Sequence, residues 1–365
     1  MIGIAAPSIG QEERDAVLEV LASGQLAQGP RVANLEEAFA AYCGSKYAVA
    51  VNSGTAALHA ALFAAGVGPG DEVITTPYSF IATLNCILMV GATPVLVDID
   101  PATFNIDISK VAAAITPKTK AVIPVDLYGQ PYDYDELKAL CDEHGLKIVE
   151  DACQAVGASY KGKKAGTLGD LGCLSLYATK NIMAGEGGVV ITDNEAYATT
   201  IKQFRQHGMS AQYEYVHIGY NYRMTDLHAA IGAEQLKKAD GFNAARQKNA
   251  AALSKGLVGI KGIVLPITAP DRTHVYNLYT LRVTGDFPLS RQAVVDALRE
   301  RGIGAGVYYP KPLYSYSHTA ALGYKQGACP ETEAACAQVL SLPVHPKVTP
   351  ADIKTMVSAL EELSR

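Results

Sequence analysis

Val49-Ala50-Val51-Asn52-Ser53-Gly54-Thr55-Ala56-Ala57-Leu58 is an apolar, β-branched run that breaks through small and hydroxyl residues into a helix-forming run. A strand that turns directly into a helix is one unit of an alternating α/β layout, and the same change recurs along the chain. Apolar strand-like runs fall at 47–51, 72–75, 94–97, 121–125, 147–149, 171–176 and 189–192, with helix-like runs at 55–65, 80–89, 109–115 and 134–144 between them. Strand and helix in alternation place successive strands side by side, mostly pointing the same way, with helices on both faces. The expected fold is α/β, a mainly parallel seven-stranded sheet sandwiched by helices; the pattern alone leaves room for antiparallel edge or central strands. Two helices, 12–21 and 32–42, precede the sheet, and a long helical stretch from about 225 to 253 leads away from it. Beyond lie a strand at 280–283, a helix at 291–301, a strand at 305–308 and closing helices at 331–340 and 350–363. They predict a smaller C-terminal α+β domain over 246–365, with the larger domain over 1–245.

Composition limits what the chain can do. Its 365 residues are 49% hydrophobic, ample for a buried sheet, and its net charge of −5 with 18% charged residues holds no arginine cluster to neutralise a phosphate backbone. Nucleic acid is therefore not an expected partner. Neither a signal peptide nor a membrane-spanning run is evident, and the seven cysteines are an odd, scattered set; a soluble cytoplasmic protein with reduced thiols is expected. The eight histidines show no His-Glu-x-x-His spacing, so no metal site is expected.

Three segments carry chemistry. In Ser53-Gly54-Thr55 the first turn of a helix offers unpaired N–H groups to a phosphate, although an ordinary Ser/Thr cap has the same appearance. In Val149-Glu150-Asp151-Ala152-Cys153-Gln154 an acid at a strand end is followed by small and apolar residues, so Asp151 needs a cationic partner to stay ionised. In Leu174-Ser175-Leu176-Tyr177-Ala178-Thr179-Lys180, which runs into Gly185-Glu186-Gly187-Gly188, a single lysine lies among small and hydroxyl residues; most lysines are surface groups, but a desolvated one is a nucleophile. Together a lysine for a Schiff base and an acid to hold a pyridine nitrogen protonated are the equipment for pyridoxal phosphate. Phe80 opens a helix at a strand end, where its ring could stack on a bound ring. Gly66-Val67-Gly68-Pro69-Gly70 precedes a strand and not a helix, which argues against a nicotinamide site.

In this order the motifs resemble the DegT-type nucleotide-sugar aminotransferases, pyridoxal-phosphate enzymes of fold type I. The likeness covers nearly the whole chain, through Gly219-Tyr220-Asn221-Tyr222-Arg223-Met224 to Leu342-Pro343-Val344-His345-Pro346. It implies that Lys180 binds the cofactor and acts as the catalytic proton-transfer base. Asp151 would pair with the ring nitrogen and Gln154 would contact the ring hydroxyl, while Gly54, Thr55 and Ser175 hold the phosphate and Phe80 stacks. Asn221 would reach the phosphate of a neighbouring subunit, making a homodimer with shared active sites. The implied reaction takes the amino group of L-glutamate and, by a ping-pong route, delivers it to the keto sugar of a nucleoside diphosphate. Tyr308, Tyr309 and Tyr314 would lie near the sugar; in many members a histidine follows Pro-x-Pro-Leu, where this chain places Tyr314. The alternatives are a sugar dehydratase, an aminotransferase of cyclitol ketones and a non-catalytic regulator of the same fold. Relatives that remove a sugar hydroxyl carry histidine where this chain keeps Lys180, which argues against the first.

Overall fold

The computed structural model describes residues 1–365. Seven strands form the central sheet: β1 (Tyr47–Val51), β2 (Glu72–Thr75), β3 (Thr93–Leu96), β4 (Thr119–Ile123), β5 (Lys147–Asp151), β6 (Leu171–Ser175) and β7 (Gly188–Thr192). Their spatial order is β1-β7-β6-β5-β4-β2-β3, and only β7 runs against its neighbours. The sheet is thus mainly parallel and α/β, with strands fixed by the apolar runs that foretold them.

Both faces of the sheet are covered, which is why its strands are apolar throughout and not alternating. Val49 and Val51 of β1 pack with Leu58 and Leu62 of α3 (Gly54–Ala64) and with Ile201 and Phe204 of a helix at Glu195–Phe204. Ala48 and Ala50, pointing the other way, meet Leu35 and Phe39 of a helix at Pro30–Cys43. A separate core joins Leu253 and Leu257 from the helix Ala239–Leu257 to a small antiparallel sheet and to the C-terminal helix Pro350–Leu363. Ile2 bridges to Ile303 and so ties the N-terminus to this second unit.

Four local expectations are corrected. Residues 305–308 form no strand, only a single bridge from Gly306 to Ser341; the Tyr308 carbonyl is taken by the hydroxyls of Tyr78 and Tyr128 and is unavailable to a ladder. The stretch 225–253 is two helices, Asp226–Lys237 and Ala239–Leu257, broken at Lys238, whose Nζ bonds Glu13 at 2.8 and 2.9 Å. The helix expected over 331–340 stops at Gln338, where Val339–Leu342 becomes a strand paired with Tyr279–Val283. The helix Glu195–Phe204 was not anticipated, although Asn194 caps it by accepting from Ala196 N–H at 2.9 Å.

One buried acid links distant elements. Thr225 caps the helix Asp226–Lys237, while Asp226, 1% exposed, turns its carboxylate on the start of the helix Pro30–Cys43. It accepts from the N–H groups of Gly29 at 2.8 Å, Val32 at 3.1 Å and Arg31 at 3.2 Å. An acid at a helix N-terminus satisfies donors that have no intrahelical partner and opposes the positive end of the dipole. Asp226→Ala should lower the unfolding free energy by roughly 3 kcal/mol, because buried N–H groups lose their acceptor, and Asp226→Asn, which keeps one acceptor oxygen, should cost less. Urea denaturation of the two variants checks the order.

Candidate active site

Parallel strands open their C-terminal ends onto one crevice, and the loops that leave those ends carry the polar groups. Ser53–Thr55 follow β1, Phe80 follows β2, Asp151 ends β5, and Ser175 ends β6 with Lys180 in the loop beyond. Ser53, Gly54, Thr55, Phe80, Asp151, Gln154, Ser175, Lys180, Tyr308 and Tyr309 all line one cavity of about 500 Å³. A second lobe of about 300 Å³ shares Gln154, Tyr177, Thr179, Lys180, Tyr308 and Tyr309 with it. Lys180 stands where the two lobes meet.

At one end of the larger lobe is the N-terminus of α3. The Ser53 hydroxyl is occupied in capping, accepting from Ala56 N–H at 3.1 Å, so the N–H groups of Gly54 and Thr55 remain for a ligand. Ser175 Oγ accepts from Tyr177 N–H at 3.3 Å, which leaves its own proton free to donate. A Cβ on Gly54 would lie 3.0 Å from Ser175 Cβ and 3.1 Å from Cys153 Sγ, so only glycine lets the first turn come this close to β6. These groups form a cradle of donors that fits a phosphate.

Asp151 is 5% exposed and has no basic ion-pair partner in the protein. Thr83 Oγ1 donates to its Oδ2 at 2.7 Å and Cys153 N–H to its Oδ1 at 3.3 Å. Thr83 is in turn linked to Ser79 at 2.8 Å, so the carboxylate is oriented yet lacks a counter-charge. A protonated ring nitrogen fits this carboxylate, because burying an acid without a counter-charge is costly.

Lys180 is half-buried, and Nζ makes neither a hydrogen bond nor an ion pair within the chain. Burial holds its amine below the usual lysine range, with Cys153 and Asp151 pulling the other way. Burial pushes the Cys153 thiol well up, helped by Asp151, so it is neutral at ordinary pH. Gln154 Oε1 accepts from Tyr128 N–H at 2.9 Å, and its Nε2 donates to the Tyr309 hydroxyl at 3.3 Å. Burial likewise raises the Tyr309 hydroxyl above its ordinary range. Phe80 is 56% exposed at the cavity mouth, its ring centroid 6.3 Å from that of Tyr309.

Two expected residues lie elsewhere. Tyr314 is a correction: it is buried beside Leu84, Leu96 and Leu313, stacked on Tyr324, with its hydroxyl donating to Glu333 at 2.6 Å, and it does not reach the cavity. Asn221 is exposed and outside the cavity of its own chain. Conversely, Thr83, Tyr128, Asn277 and Arg246 contribute without having been singled out. Thr83 was legible as a hydroxyl in the first turn of the helix that Phe80 opens, four residues after Ser79; the other three are brought in by tertiary packing alone.

An unpaired lysine amine facing a buried acid, with a helix-start phosphate cradle on a mainly parallel sheet, defines a pyridoxal-phosphate enzyme of fold type I. The model of the DegT/DnrJ/EryC1/StrS aminotransferase family matches residues 7–361, and the chain belongs to that family. It is a pyridoxal-phosphate-dependent aminotransferase. It is 40% identical to GDP-perosamine synthase of Caulobacter vibrioides, over 99% of this chain and 98% of that protein. It is 39% identical to UDP-2-acetamido-2-deoxy-3-oxo-D-glucuronate aminotransferase of Pseudomonas aeruginosa, over 94% of each. Among solved structures, the PLP form of Spr1654 from Streptococcus pneumoniae superposes with a TM-score of 0.94 at 30% identity, covering 100% of this chain and 98% of that one.

A lowered amine sets a pH dependence. The nucleophile is the neutral form, so apoprotein should capture added pyridoxal phosphate faster as pH rises and level off below the ~10.4 of a free lysine. Stopped-flow absorbance measures it, and a rate still climbing through that pH would place Nζ in an ordinary, solvated setting.

Proposed function

We propose that the protein moves the amino group of L-glutamate to the keto carbon of a sugar carried on a nucleoside diphosphate. The observation that carries this reading is the isolated Lys180 amine, set between a lobe equipped for the cofactor and a second lobe open to a substrate. The support for a nucleotide sugar is the likeness to relatives named for GDP- and UDP-linked sugars. When bound, pyridoxal phosphate supplies the electron sink that lets a Cα–H bond be broken as a proton.

The chain's own residues then divide the work. Lys180 Nζ would hold the cofactor and, once freed, its amine would carry the proton away from the donor Cα. Its lowered affinity for protons suits that role. Asp151, oriented by Thr83, would keep the ring nitrogen protonated. Gln154, held by Tyr128 N–H, and Phe80 would contact the ring, and the N–H groups of Gly54 and Thr55 with the Ser175 hydroxyl would hold the phosphate. Tyr308 and Tyr309 line both lobes and face the sugar.

The site is completed by a second copy. Tyr213, Tyr215, Val216 and Ile218 are exposed on the hairpin and loop that lead to Asn221, an apolar surface that a partner subunit would cover. Asn221 would then reach the partner's phosphate cradle. The seven cysteines are all free and no helix is long and apolar enough to cross a membrane, which suits work in the reducing cytoplasm.

L-glutamate should bleach the visible band of the lysine-bound cofactor, and the correct nucleotide keto sugar should restore it; a protein inert to every amino acid would overturn the reading. Lys180→Ala and Asn221→Ala should each be inactive alone, and mixing them under subunit exchange should return part of the activity. No recovery would show that each chain builds its site by itself.

A further inference from the structure

Residues 2–8 form neither a helix nor a ladder, apart from the single bridge between Ile2 and Ile303, yet part of this strap stands beside Lys180. Ile4 and Ala5 line the lobe of about 300 Å³ together with Lys180, Tyr308 and Tyr309. Ala5–Ser8 also face the loop that carries Lys180, with a space of only about 20 Å³ between them.

A segment outside regular structure keeps its place only through bonds made to it by other elements. Ile2 exchanges backbone bonds with Gly302 at 2.8 Å and Gly304 at 2.7 Å. Beyond it the carbonyls are met by side chains. Gln235 Nε2, on the helix Asp226–Lys237, donates to Ser8 at 2.7 Å, and Lys347 Nζ donates to Pro7 at 2.7 Å. Next to the lobe, His345 Nε2 lies 3.0 Å from the Gly3 carbonyl, one residue before Ile4.

The surroundings of His345 fix that bond. The residue is 5% exposed, and its carbonyl and that of Val344 accept from Asn249 Nδ2 at 3.1 and 3.4 Å. Its Nδ1 is sealed without a partner. A carbonyl only accepts, so Nε2 carries the proton and Nδ1 is bare. Burial lowers the ring's affinity for a second proton and keeps it neutral at neutral pH. Enclosing a nitrogen without a partner is unfavourable, and the bond to Gly3 is the contact that an apolar side chain could not make. His345 lines neither lobe, so it acts on the site through the strap alone.

We infer that His345 is a positioning residue that fixes the strap of residues 2–8 and, with it, the wall that Ile4 and Ala5 give the second lobe. Its effect on turnover rests on the reading of that lobe as the substrate's.

The test compares holoenzymes of wild type, His345→Leu and His345→Gln. Leucine occupies the place of the ring without a donor, whereas glutamine carries its Nε2 the same number of bonds from Cα and restores one. In His345→Leu, KM for L-glutamate and for the nucleotide keto sugar should rise about 3- to 10-fold, the size expected for losing one neutral hydrogen bond. The turnover number and the visible band of the lysine-bound cofactor should change little, and His345→Gln should recover most of the loss. Independently of turnover, amide hydrogen exchange in a peptide covering residues 2–8 should be faster in His345→Leu and return toward wild type in His345→Gln. Unchanged exchange and KM in His345→Leu would overturn the inference, as would a His345→Gln protein no closer to wild type than His345→Leu. If exchange responds as expected but no amino acid serves as donor, the substrate reading of the lobe fails and the anchoring of the strap by His345 stands. Should His345→Leu not fold, His345→Gln is set against His345→Asn, whose shorter amide falls short of Gly3; equal exchange and equal KM in that pair would contradict the inference.

Discussion

Lys180 and Asp151 are an amine and an acid enclosed in the same crevice without being allowed to pair. Asp151 ends β5, Lys180 lies in the loop after the adjacent β6, and the acid favours the charged form of the amine without a bond between them. Two opposite charges left apart in a poorly solvated space are an unfavourable arrangement in an isolated chain. Thr83 and Cys153 N–H orient the acid, while nothing in the chain holds the amine. A ring carrying an aldehyde at one edge and a basic nitrogen at the other would satisfy both groups. The close approach of α3 to β6 depends on Gly54, where a Cβ would lie 3.0 Å from Ser175 Cβ.

Much of this was legible in the residues, because local patterns decide it. Parallel strands buried on both faces need unbroken apolar runs, and Val49-Ala50-Val51 and Ile148-Val149 have them. Lys180 and Asp151 stand out because small residues surround them, leaving no neighbours to serve as partners. Tyr314 misled because an aromatic close to Tyr308 and Tyr309 in sequence is turned into a core by Leu84 and Leu96, contributed from elsewhere in the chain. Residues 305–308 have strand-like composition, yet the Tyr308 carbonyl is claimed by two tyrosine hydroxyls that no local pattern shows. Asp226 looks like the cap of its own helix and serves instead the helix at Pro30–Cys43. Each of these departures is a long-range hydrogen bond or packing contact that overrides a local preference.

The same logic separates two charged positions by the device that meets each. A helix start with glycine suits a phosphate through backbone N–H groups, and the Asp151 carboxylate reserves its place for a cation. Both line the larger lobe together with Lys180. Burial lowers the proton affinity of that amine, which would serve both the capture of an aldehyde and the proton transfer proposed for it.

The most direct measurement is borohydride reduction of the protein with pyridoxal phosphate, followed by peptide mass spectrometry. The account predicts that the reduced cofactor is found on the peptide containing Lys180, and that treatment with the amino donor before reduction removes the label. Cofactor fixed to a different lysine, or none fixed at all, would contradict it.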